Sequence, residues 1–150
     1  MGSVAVEPPT RVQKRAILYP PLVIISPSGQ YAFFQVVLVD SQGLVVESPD
    51  ALQGAVSVSP RTLEGAAASG RSQRDFAVFS DLTIHKSGTY TIQVNGYAMD
   101  YQSMPPTMVH TAAIGTRAIQ VRSSRVPTEQ PSSSEARLLS RLSQGGFPIP

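Results

Sequence analysis

The sequence has no cysteine among its 150 residues. That removes disulfides, thiol nucleophiles, thiolate zinc sites and iron–sulfur clusters together. Histidine is scarce too: only His85 and His110 occur, with neither H-x-H nor H-x-x-x-H spacing. A metal site would have to be assembled from scattered carboxylates, so both imidazoles read as structural. No apolar run approaches the ~20 residues that cross a bilayer. The opening MGSVAVEPPT lacks the basic and apolar regions of a signal peptide. The expectation is a soluble intracellular protein with no membrane partner. Nor is there a G-x-S-x-G elbow, a P-loop or a dinucleotide fingerprint. Asp75 and Asp81 flank one apolar segment, but Asp favours turns and strand edges, which makes a structural role the better reading. The chain reads as a non-enzyme, with no cofactor and no small-molecule substrate.

Charged residues are few, 15% against 41% hydrophobic, which suits one folded domain rather than a disordered tail. Thirteen prolines and eleven glycines imply frequent chain reversals and short strands. Residues 1–10 contain prolines and are expected to form a flexible N-terminal arm, with the folded domain over 11–150. LVIIS is a continuous apolar run between Pro20-Pro21 and the turn signal SPSG, as in a buried strand. YAFFQVVLVD is strand-like, and Asp40–Gly43 turns it back into LVVES. Leu52–Ser59 alternates like one half-buried strand. Pro60–Gln73 has no clear period and reads as a long loop. DFAVF, then TYTIQVNGYAMDY with Tyr90, Ile92 and Val94 on one face, and finally MVHTAAIGTRAIQVRS supply the remaining strands. The total is about seven to nine short strands, the number of a sandwich.

Only the end is helical in pattern. Ser132 and Glu135 form a capping box, Leu138, Leu139 and Leu142 share a face, and Gly145 fits the stop. A helix over about 132–144 that packs on the sheets is expected.

Net charge is +2 with a pI near 9.2, which permits nucleic-acid binding without demanding it. Ten of the twelve basic residues are Arg, the side chain suited to bidentate contact with phosphate and guanine. Arg11, Lys14 and Arg15 precede the first apolar run and are one candidate set for DNA contact. Arg61, Arg71 and Arg74 bracket the long loop and are a second. On one end of a sandwich the two sets would make a continuous cationic rim; a solvated charge run is the alternative. Arg117, Arg122 and Arg125 are candidates for a sheet face or edge. For a protein partner, Phe33, Phe34 and the stretch Tyr97–Met108 are the apolar residues to watch.

One segment resembles a known family. The order F-x-V-F-x-D-L-x-I then G-x-Y-x-I-x-V, carried by Phe76, Val78, Phe79, Asp81, Leu82, Ile84, Gly88, Tyr90, Ile92 and Val94, is similar to the signature of velvet domains. RAILYPPLVIIS, YAFFQVVLVDSQG, LQGAVSVSPRTLEG and the C-terminal IQVRSSRVPTEQPSSSEARLLSRLSQGGFPI resemble further pieces of it, in order, from about Arg11 onward. The resemblance implies an all-β, immunoglobulin-like antiparallel β-sandwich of the Rel/NF-κB type with a short C-terminal α-helix. It implies a DNA-binding transcription regulator that forms homo- or heterodimers with velvet-domain proteins. Such proteins act in fungal nuclei, with shuttling to the cytoplasm left open, on development, sporulation and secondary metabolism. The family's Cys- and Gly-containing basic segment is not seen ahead of Arg11. That keeps a second reading in play, an interaction-only scaffold that dimerises and touches DNA weakly or not at all. An unrelated immunoglobulin-like adhesion or ligand-binding module is a third.

Overall fold

The computed structural model describes residues 2–62 and 74–150. Among these residues are twelve strands: β1 (Ser3–Val6), β2 (Arg11–Gln13), β3 (Leu22–Pro27), β4 (Phe33–Asp40), β5 (Leu52–Gln53), β6 (Ser57–Val58), β7 (Arg61–Thr62), β8 (Arg74–Phe79), β9 (Thr83–Ile84), β10 (Gly88–Asp100), β11 (Thr107–Gly115) and β12 (Ile119–Arg122). One helix, α1 (Ser133–Gln144), closes the order. The chain is an all-β, sandwich-like protein with a short C-terminal helix.

Two sheets hold most of the strands. The first runs β1-β3-β8-β7 and the second β2-β12-β10-β4-β6, with β11 also paired to β10; β5 and β9 make a small separate pair. Period-two alternation sorts the side chains between faces. Leu22, Ile24, Ala77 and Phe79 of the first sheet meet Phe34, Val36, Leu38, Tyr90, Ile92 and Val94 of the second in the main core. Phe34, Phe79, Ile24 and Ile92 are completely buried, and burying one such side chain contributes roughly 1.5–3 kcal/mol. Gly96 leaves room for this core: a Cβ there would lie 2.7 Å from the Tyr31 ring.

The opposite face of the first sheet is not exposed. Val23, Phe76 and Val78 point outward and form a second core with Val6, Leu139, Leu142 and Phe147. Helix α1 therefore makes a third layer. Its start is the expected capping box, with the Ser132 hydroxyl accepting from Glu135 N–H and the Glu135 carboxylate accepting from Ser132 N–H. Gly145 caps the end, while the left-handed residue is Gly146, at φ 88°.

Four expectations need correction. Twelve strands form among the described residues rather than seven to nine, several of them only two residues long. Within the expected loop Pro60–Gln73, Arg61–Thr62 is a strand paired with β8, and 63–73 lies outside the described residues. The first ten residues are not a free arm. β1 pairs antiparallel with β3, and Val6 is completely buried. Glu7–Thr10 then carries the chain across to β2, which pairs in parallel with β12 in the other sheet. Likewise, Leu52–Ser59 is not one strand. Gly54, at φ 114°, breaks it; β5 goes to β9 and β6 to β4. A Cβ on Gly54 would lie 2.5 Å from the Asp81 carbonyl oxygen, so the close approach demands glycine.

Candidate nucleic-acid interface

The strand registers fix which basic residues share an end. β3 and β8 run antiparallel with Leu22 opposite Phe79 and Pro27 opposite Arg74. The chain around Lys14–Leu18 lies at the Leu22–Phe79 end: Arg15 N–H donates to Ile84 O and Leu18 N–H to Leu82 O, both at 2.9 Å. Arg74 is at the other end of the same two strands. Five residues of strand separate the ends, about 17 Å at 3.3 Å per residue. The continuous rim is not formed.

At the first end the basic residues gather along one margin. β2 adds to the edge of the second sheet with Arg11 opposite Gln120 and Gln13 opposite Arg122, while Val12 and Val121 turn into the core. Arg11 and Arg122 are both exposed on the outward face. Lys14 N–H donates to Arg122 O at 2.7 Å and ties the next turn to the same edge. Arg11 and Arg125 line one cleft of about 250 Å³, together with Gln13, Ile17, Tyr19 and Glu129. The Glu129 carboxylate accepts from Arg11 N–H and from the Thr10 hydroxyl, so it anchors backbone rather than the Arg11 guanidinium.

Arg15 stands out within this group. Its φ is 72°, the left-handed region that L-residues avoid at a cost of roughly 1–2 kcal/mol. The turn takes the chain from the edge of the second sheet to Ile84 and leaves the Arg15 side chain exposed.

The second set is dispersed. Arg61 Nη2 donates to Gly146 O at 2.6 Å, and its guanidinium carbon lies 4.1 Å from the centroid of the Phe147 ring. It clamps the chain after α1 onto the first sheet. Arg74 is exposed at the far end of β8, and Arg71 lies outside the described residues. Arg117 Nε and Nη2 both donate to Pro8 O, which makes it an internal tie. The sequence pattern did not separate these roles; Arg122 and Arg125 join the first set only because β2 and β12 pair, two segments more than a hundred residues apart in the chain.

Acidic groups occupy the neighbouring corner. Asp40, Glu47 and Lys86 line a shallow depression with Tyr90 and Leu44. Burial raises the Tyr90 phenol above its ordinary pKa, and the Asp40 charge adds to it. Asp75, Asp81 and both imidazoles have structural partners. Asp75 accepts from Gly29 N–H and the Thr62 hydroxyl, and Asp81 from Ala55 N–H at the other end of β8. His85 bonds the Thr83 hydroxyl and His110 the Asn95 side chain. Among the described residues, no group of three or more His, Cys, Asp or Glu is placed to hold a metal ion, and no helix is long and apolar enough to cross a membrane.

No family model matches the chain, and no curated protein matches it. Among solved structures the chain is similar to neutral ceramidase from Pseudomonas aeruginosa, with a TM-score of 0.44 and 11% sequence identity. That likeness covers 83% of this chain and only 19% of the ceramidase chain. At this level it carries no argument about fold or activity.

Proposed function

We propose that the chain is a non-enzymatic, velvet-type regulator domain that contacts duplex DNA through its β2–β12 margin and dimerises. One observation carries the DNA contact: Arg11, Lys14 and Arg15 share an edge with Arg122 and Arg125. Guanidinium and ammonium groups set along one margin suit phosphate contact, which supplies most of the sequence-independent affinity for DNA. The immunoglobulin-like, Rel-type reading and the fungal nuclear role in development and secondary metabolism rest on the sequence resemblance, which a two-layer sandwich suits. Arg61 drops out of the contact set because its guanidinium is spent on Phe147 and Gly146.

The test is fluorescence anisotropy with a labelled duplex at two salt concentrations. Wild type binds at low salt and weakens steeply as salt rises. Replacing Arg11, Lys14 and Arg15 by Ala weakens binding about tenfold or more and flattens the salt dependence by about 0.9 for each phosphate no longer neutralised. Equal binding by wild type and the triple variant overturns the assignment. Should neither bind, the interaction-only scaffold is the better reading; the exposed apolar hairpin between β10 and β11 favours that alternative.

A further inference from the structure

The outer end of β10 and β11 belongs to no layer of the sandwich. β4 accompanies β10 only as far as Tyr97, which pairs with Phe33. Beyond it Ala98–Asp100 has β11 alone for a neighbour, with Asp100 opposite Thr107. An isolated two-stranded ribbon is at best marginally stable in water. This one also exposes apolar side chains: Met104 is 93% accessible and Tyr101 76%, with Met108 and Val109 also open.

β11 is an edge as well. Among the described residues it pairs with β10 and with no other strand. Sheet edges are usually protected by charge, by proline within the strand or by a bulge. Here Tyr101–Thr116 holds no Asp, Glu, Lys or Arg, and the prolines sit at the tip, ahead of the strand. A register shift between Gly96 and Tyr97 leaves Thr111 unpaired in β11 and is the one blunting device present. It divides the edge and leaves Thr107–His110 as an accessible run without Asp, Glu, Lys or Arg.

We propose that this edge is where two copies of the chain pair, β11 against β11 in antiparallel fashion across a two-fold axis. It takes from the function proposed above only the expectation of a homodimer. An edge without Asp, Glu, Lys or Arg is complementary to itself, because none of those charges is set against its like when it meets its own copy. The pairing extends each marginal ribbon to four strands and covers Met108 and Val109. It also leaves the arginine margin open, since β2 and β12 flank the opposite half of β10.

Sedimentation velocity of the whole chain across a concentration series tests this. Wild type is expected to dimerise, and Val109→Lys or Met108→Lys to weaken the dimer about tenfold or more. Val45→Lys, at an exposed site on another hairpin, leaves it unchanged. Circular dichroism and melting temperature show that each variant folds. Because the chain has no native cysteine, single cysteines at Met108, Val109 and His110 give an independent readout. At least one is expected to form a disulfide-linked dimer under mild oxidation, and Val45→Cys is not. A monomeric wild type at high micromolar concentration, or a dimer that ignores both lysine variants, overturns the proposal. The arginine triple variant is measured alongside. It is expected to lose DNA binding and keep the dimer; unchanged DNA binding overturns the arginine margin alone, and a dimer that ignores the lysine variants overturns the β11 pairing alone.

Discussion

Two groups of basic residues are candidates in the sequence, and the fold treats them differently. The Arg11–Arg15 group meets Arg122 and Arg125 at a sheet edge, with Arg11 and Arg15 exposed and Lys14 half-buried. Arg61, on the other sheet, lies over an aromatic ring and donates to a carbonyl. A guanidinium beside apolar surface is an adhesive; the same group on a bare margin is available to a polyanion. Composition does not distinguish them, and only their neighbours do.

Variants should separate adhesive from available charge. The largest effect is expected in the second core, where Arg61 lies over Phe147. Leu142 is completely buried between α1 and the first sheet, and Leu142→Ala should cost about 2–5 kcal/mol in urea unfolding. Next comes Arg61→Ala, which should cost about 1 kcal/mol because Phe147 is uncovered and a hydrogen bond is removed. Its affinity for DNA should stay within about twofold of wild type; a larger drop would return Arg61 to the interface. Arg15→Gly should do the opposite. It relieves a left-handed conformation and should raise stability by up to about 1 kcal/mol while weakening DNA binding.

The smallest effect concerns acid. Burial pushes the Glu135 carboxyl upward, but hydrogen bonds from Ser132 N–H, Glu7 N–H and the Ser132 side chain, with the charge of Arg117, bring it below its ordinary value. A group lowered in the folded state stabilises above its unfolded pKa and loses that contribution as pH falls through the folded one. Melting temperature should therefore decline below about pH 4.3. Glu135→Gln should flatten part of that decline, and an unchanged profile would show that the carboxylate adds nothing to docking of α1.

Much of the fold was legible wherever local rules decide. The capping box at Ser132 and Glu135, the buried run Leu22–Ser26 and the alternation through Tyr90, Ile92 and Val94 all depend on neighbours in sequence, and each holds in the structure. The failures were long-range. SVAV is too short to advertise a strand, and its burial comes from Val23 and α1. The break at Gly54 comes from Asp81, twenty-seven residues on. Of the candidate site, the Arg11–Arg15 set was readable as a charge run, but its partnership with Arg122 and Arg125 was not. The pairing of β2 with β12 creates that partnership, and no local pattern encodes it.

The passage from Ser3 to Gln13 has one more consequence. On its way between the sheets it gives Glu7 N–H to Glu135 and the Pro8 carbonyl to Arg117. A single short stretch is thus stapled to three layers at once. A protease cut after Val6, or a bulky fusion ahead of Ser3, would unseat Arg11 and slacken the helix in the same event. Grip on a polyanion and the seating of α1 should therefore be inherited, or forfeited, as a pair.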